Sequence, residues 1–174
     1  MQLIPGVSHT LGASLVVAGP ALCIALRSEP PPIAQLRDAI TRIGGTWHGD
    51  GDFSFGTLDP SPFVLGTEPS EFDPAEVAAL REHLRPVPES IVVVGAMGNG
   101  EQDHFRLAKV AGELAGVLGG VIFVESPTRL PAYAAKSGWS VLIEQRSLGR
   151  YWRYAMEAAV LLHWAEQPSF RLIK

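Results

Sequence analysis

One pair of adjacent residues carries the side chains best suited to proton transfer. Asp103 and His104 lie in the first turn of a predicted helix, directly after the segment Gly98-Asn99-Gly100. A carboxylate beside an imidazole can act in general acid–base catalysis, or form half of a metal site. On a helical wheel, with about 100° per residue, both fall within roughly 60° of the centre of the predicted buried face. The alternative is structural, because inward polar groups in a first turn can bind neighbouring loop amides.

The glycine-rich segment resembles a phosphate-binding loop between a buried strand and a helix. Its glycines fall as G-x-x-G-x-G, which is not the dinucleotide fingerprint, and no Gly-Lys-Ser/Thr follows as in a P-loop. Glu101 and Asp103 place negative charge where an anion would bind. Asn99 and Gln102 are spaced as a helix-capping pair. These features favour a structural turn over a cofactor site.

The remaining residues lack the spacing of a metal or nucleophile site. The sequence contains no H-x-x-x-H, C-x-x-C, H-x-E or G-x-S-x-G pattern. The single cysteine, Cys23, excludes an intramolecular disulfide and fits a reducing compartment. We therefore expect neither a metal ion nor a cofactor.

A second candidate site is a binding surface on a predicted hairpin near the C-terminus. It consists of Arg146, Arg150, Tyr151, Trp152 and Arg153. Arginine and aromatic side chains are enriched in protein interfaces, although a hairpin with a solvated face explains them equally well. The net charge of −4 argues against a surface that tracks phosphates, so nucleic acid is not an expected partner.

A β-α-β unit positions the first candidate site. Residues 90–95 and 121–124 are β-branched or apolar runs typical of buried strands, and 101–118 have the period of a helix. Gly119-Gly120 supplies the positive φ that a helix C-terminus requires. Strands joined by a helix of this length usually pair in parallel through a right-handed crossover.

The flanking segments alternate between strands and helices. Further strands are predicted at 21–27, 46–48, 53–55, 63–65, 139–146 and 151–156. Further helices are predicted from Pro32, from Pro74 and at 157–166. After Pro168 the chain is expected to return as an apolar tail or edge strand, with Phe170, Leu172 and Ile173 against the core. We predict one α+β domain over 19–174, a mixed β-sheet packed with about four helices.

Residues 1–18 are predicted to form an irregular leader. The stretch 11–26 is apolar, but no Lys or Arg precedes it and Gly19-Pro20 interrupts it. Both features are atypical of a signal peptide or a membrane span. We expect a cytoplasmic protein with no membrane partner, and secretion stays open as the alternative.

Three motifs resemble those of a bacterial domain family of unknown function. Residues 96–104 read A-M-x-N-G-x-x-D-H, residues 164–174 read W-x-x-x-P-x-F-R-L-I-K, and 19–22 read G-P-A-L. The resemblance covers about residues 19–174 and implies no established activity. Small bacterial proteins of this kind are often immunity proteins that neutralise toxins, which is an analogy of class.

Two functions follow as hypotheses. The first is a non-catalytic binding protein of the immunity type, whose partner is another protein such as a toxin; self-association into a homodimer stays open. The rival is a small hydrolase or transferase that uses Asp103 and His104 beside the Gly98-Asn99-Gly100 loop. A second carboxylate or histidine in a cleft near His104 would favour the enzyme, whereas a packed His104 would favour the binding protein.

Overall fold

The computed structural model describes residues 19–56, 61–69, 74–81, 88–146 and 151–172, so the predicted leader lies outside the described residues. The strands are β1 (Ala21–Leu26), β2 (Thr46–Gly49), β3 (Asp52–Phe55), β4 (Ser61–Pro69), β5 (Ser90–Ala96), β6 (Val121–Ser126), β7 (Ser140–Arg146) and β8 (Tyr151–Met156). The helices are α1 (Ile33–Arg42), α2 (Pro74–Arg81), α3 (Glu101–Leu118) and α4 (Ala158–Ala165), with a 3-10 helix at Ala134–Ser137. The fold is α+β, as the sequence predicts.

The strands form one sheet in the order β2-β3-β4-β5-β1-β6-β8-β7, and every described pairing is antiparallel. The prediction of a mixed sheet is therefore wrong. β5 and β6 do run in the same direction, but β1 lies between them, and its Cys23 pairs with Val93 on one side and Phe123 on the other. β1 thus takes up the hydrogen bonds that the two strands of the β-α-β unit would otherwise share.

Helices α1, α3 and α4 cover one face of this sheet. They pack on alternate residues of the central strands, among them Ile24, Val94 and Ile122, which are fully buried. Burying such a side chain stabilises the fold by roughly 1.5–3 kcal/mol before the entropy of ordering is subtracted. The sequence predicts about four helices packed on the sheet, whereas three helices pack on this face. The short α2 lies on the opposite face, where Leu80 packs with Phe123 and its neighbours.

Helix α3, which carries the first candidate site, begins and ends where the sequence predicts. It ends because Gly119 adopts a left-handed conformation with φ 70°. On α1, Ile33 is 61% exposed, and the buried residues begin at Leu36. Among the described helices, none combines the length and the apolar character needed to cross a bilayer.

Candidate functional site

The two residues that precede β1, Gly19 and Pro20, form hydrogen bonds with the end of β5, where the loop into α3 begins. The Gly19 amide donates to the Ala96 carbonyl at 3.1 Å, and the Ala96 amide donates to the Pro20 carbonyl at 3.0 Å. A Cβ atom on Gly19 would overlap the carbonyl oxygens of Ala96 and Gly98. Only glycine lets the two backbones approach this closely, so the G-P motif fixes the loop that leads into α3.

Asp103 stabilises the start of α3. Its Oδ2 accepts a hydrogen bond from the Gly100 amide at 2.8 Å, and its own amide donates to the Gly100 carbonyl at 3.0 Å. Gly100 is the N-cap, so the predicted capping pair of Asn99 and Gln102 is wrong by one residue. The carboxylate also sits favourably at the positive end of the helix dipole, which is the structural role weighed for it.

His104 is buried, with 8% of its surface exposed, and binds the C-terminal segment. The backbone amide of Leu172 donates to His104 Nδ1 at 3.1 Å. A nitrogen that accepts from an amide carries no proton, so the ring is neutral with its proton on Nε2. Burial lowers the pKa of His104 below 6.5, and the Arg171 guanidinium lowers it further, while Asp103 opposes both.

The C-terminal segment 168–172 packs over the first turns of α3. Phe170 is fully buried, with its ring 6.2 Å from Phe105 and 5.5 Å from Trp164 between centroids. Leu172 is also buried, which confirms the predicted packing for both residues. The segment is a tail and not an edge strand, and Ile173 lies outside the described residues.

Arg171 and Ser126, which sequence reasoning did not single out, fasten the same segment. The Arg171 guanidinium pairs with Glu101 at 2.5 Å and lies over the Phe105 ring at 5.8 Å. Ser126 is fully buried at the end of β6, and its hydroxyl donates to the Arg171 carbonyl at 2.6 Å. The one signal in the sequence was a polar residue that ends an apolar strand. A buried hydroxyl in that position needs a partner, and here the tail supplies it.

The predicted hairpin surface is divided between the two faces of the sheet. β7 and β8 pair, with Arg146 opposite Tyr151 in the register, while Arg150 lies outside the described residues. Trp152 packs against the helix-covered core. Arg153 lies on the other side, with its guanidinium 5.7 Å from the Phe123 ring centroid. Successive strand residues point to opposite faces, so these two side chains do not share a surface.

The described residues offer little for metal binding. Within them, no group of three or more His, Cys, Asp or Glu side chains comes together. Cys23 is partly buried and packs into the apolar cluster on the face that α2 covers.

We expect Asp103→Ala to lower the free energy of unfolding by about 1 kcal/mol, because the Gly100 amide loses its acceptor. Asp103→Asn keeps an acceptor oxygen in the same place and should restore most of that loss. Urea unfolding followed by circular dichroism measures both variants. Equal midpoints for wild type and Asp103→Ala would contradict the capping role.

Comparison with known proteins places the chain in a family. A family model described as a family of unknown function (DUF6368) matches residues 18–174. This range agrees with the one over which the sequence motifs resemble a family of unknown function. No curated protein and no solved structure matches the chain. The chain therefore belongs to the family of unknown function DUF6368.

Proposed function

We propose that this chain is a non-catalytic binding protein of the immunity type, whose partner is a toxin protein. The observation that carries the proposal is the use of Asp103 and His104 within the fold. Each accepts a hydrogen bond from an amide of its own chain, Gly100 in one case and Leu172 in the other. A general base needs its lone pair directed at a substrate proton. Two groups committed in this way support a structural role.

The charge of the chain supports a basic partner. The net charge is −4 and the isoelectric point is near 5.7. An acidic protein attracts a basic partner over long distances and speeds their encounter, while it repels acidic competitors. A cytoplasmic inhibitor that must capture a toxin quickly benefits from such attraction.

The edge of the sheet at β7 is the surface that we assign to the partner. β7 ends the strand order, so in the described sheet it has a strand neighbour on one side only, β8. Leu142 on this strand is 46% exposed. An unpaired strand edge can receive a strand from another protein, and an exposed apolar side chain beside it adds buried area.

Co-expression with the neighbouring reading frame tests this function. We expect the neighbouring product to arrest growth of a heterologous host, and this chain to restore growth. The two purified proteins should then elute as one complex from a gel-filtration column. Continued arrest together with separate elution would contradict the immunity role. If His104→Asn abolished protection while leaving the complex intact, the enzyme alternative would gain support.

A pair of surface variants tests the assigned edge. Leu142→Arg should weaken binding at least about tenfold, because a charge at the contact must lose its water without a partner. Ile33→Arg is the matched control, since Ile33 is 61% exposed on α1, away from β7. Isothermal titration calorimetry measures both affinities. Equal affinities for the two variants would place the interface elsewhere.

A further inference from the structure

Three polar contacts of different kinds join side chains of the fold to the tail 168–172. His104 Nδ1 accepts from the Leu172 amide, Ser126 donates to the Arg171 carbonyl, and Glu101 pairs with the Arg171 guanidinium. Only the first of these contacts changes its donor and acceptor roles when a group titrates near neutral pH. The tail is thus fastened in part by a bond that depends on the protonation of one imidazole.

Protonation of His104 would reverse the chemistry of that bond. A proton on Nδ1 turns the nitrogen into a donor that faces the Leu172 N–H at 3.1 Å. Two donors cannot share a hydrogen bond, and the imidazolium would also lie beside the Arg171 guanidinium within a buried site. Loss of an acceptor, desolvation of a charge and repulsion between cations act together, and each of them favours an open tail.

We propose that the C-terminal segment 168–172 is a latch that opens in mild acid, when His104 takes a proton on Nδ1 and can no longer accept the Leu172 amide. The latch does not rest on the proposed function. None of its parts belongs to β7, the strand assigned to the partner, and all of them lie among the described residues. Opening would uncover the aromatic side chains against which Phe170 packs, Phe105 and Trp164.

The charged groups around His104 set the direction of the pH dependence. Arg171 on the tail opposes protonation and Asp103 on α3 favours it, while Glu101 is already paired with Arg171. Burial adds to the effect of Arg171, so the closed state has a pKa below 6.5. The stabilisation of the closed tail is therefore fully present above 6.5. It is lost as the pH falls from that value towards the pKa of the closed state.

Hydrogen exchange of the Leu172 amide measures the latch directly. In the wild-type chain, its protection, corrected for the intrinsic exchange rate, should fall about tenfold per pH unit below the free imidazole pKa. An amide in the middle of α3, such as that of Ala111, should keep its protection over the same range. The NMR titration of the His104 ring should have its midpoint below 6.5, the pH from which the protection of Leu172 begins to fall.

Two histidine variants separate the latch from a general effect of acid. In His104→Asn, the amide oxygen can take the place of Nδ1 as acceptor and does not titrate, so Leu172 should stay protected at every pH. His48→Gln is the matched control, because His48 Nε2 bonds to Ser54 Oγ at 2.7 Å in another part of the sheet. This control should keep the wild-type response.

Three results would overturn the latch. One is wild-type protection of Leu172 that is the same at about pH 7.5 and about pH 5 while the His104 ring titrates. Another is a pH response that survives in His104→Asn. The third is equal loss of protection at Leu172 and Ala111 in the wild type, which would show unfolding of the whole chain. The wild-type measurements decide the matter even if His104→Asn fails to fold.

Discussion

Phe170→Ala should lower the melting temperature by roughly 10 °C. Removing a fully buried phenylalanine costs about 3–5 kcal/mol, and each kcal/mol shifts the midpoint by about 2–4 °C in a domain of this size. Phe170 is completely buried between Phe105 and Trp164, with its ring nearly perpendicular to the Trp164 indole at 78°. The alanine variant would leave a cavity bounded by rings that cannot collapse into it. Differential scanning calorimetry measures the shift.

Tyr133→Ala is the matched aromatic control, because Tyr133 is 47% exposed. Its hydroxyl donates a long hydrogen bond to the His163 carbonyl at 3.4 Å. We expect a loss of less than about 1 kcal/mol there. If Phe170→Ala melted like the wild type but failed to associate with a partner or with itself, the tail would be an interface element. That result would contradict the packing role of Phe170, while the proposal of a binding protein would remain.

The β-α-β unit was recognisable from the sequence because its signals are local. The stripe of α3 has a period of one helical turn, and Gly119 ends the helix through its own positive φ. The hairpin of β7 and β8 is also local, since its strands are adjacent in the chain. Such features depend on residues within a few positions of one another.

The strand order could not be read in the same way. β1 lies between β5 and β6, although it precedes β5 by more than sixty positions, as the pairing of Cys23 with Val93 shows. All three strands are short apolar runs, and an apolar run does not indicate which other strand it pairs with in the sheet. Composition therefore predicts that they are buried, while their direction and order depend on contacts between distant segments.

Asp103 and His104 lie in the first turn of α3, as the sequence predicts, but the partners of their side chains were not foreseeable. His104 bonds to a backbone amide 68 positions away, and a backbone donor is present at every residue except proline. The leucine side chain at position 172 gives no sign that its backbone amide is the partner of His104. For the hairpin, the period of a strand was enough to show that Trp152 and Arg153 face opposite sides, and only their shared segment suggested one surface.

Gly19→Ala should lower the free energy of unfolding by about 3 kcal/mol, because a tight site gains an atom that has no space. The new Cβ would overlap the carbonyl oxygens of Ala96 and Gly98, which belong to the backbone and cannot rotate away. The amide of Gly19 would also be displaced from the Ala96 carbonyl. Since this loop leads into α3, we expect the displaced backbone to weaken the hydrogen bond from the Gly100 amide to Asp103 Oδ2 as well.

Gly116→Ala provides the opposite expectation for the same chemical change. Gly116 lies within α3, and a Cβ there would meet nothing within 4 Å. Alanine favours the helix over glycine, so this variant should gain about 0.5–1 kcal/mol. Urea unfolding of both variants measures the contrast, with an unchanged m-value as the sign that the unfolded state is the same. If Gly19→Ala were as stable as Gly116→Ala, the G-P motif would not hold the loop. Its place in the family pattern would then need another reason, such as contact with a partner.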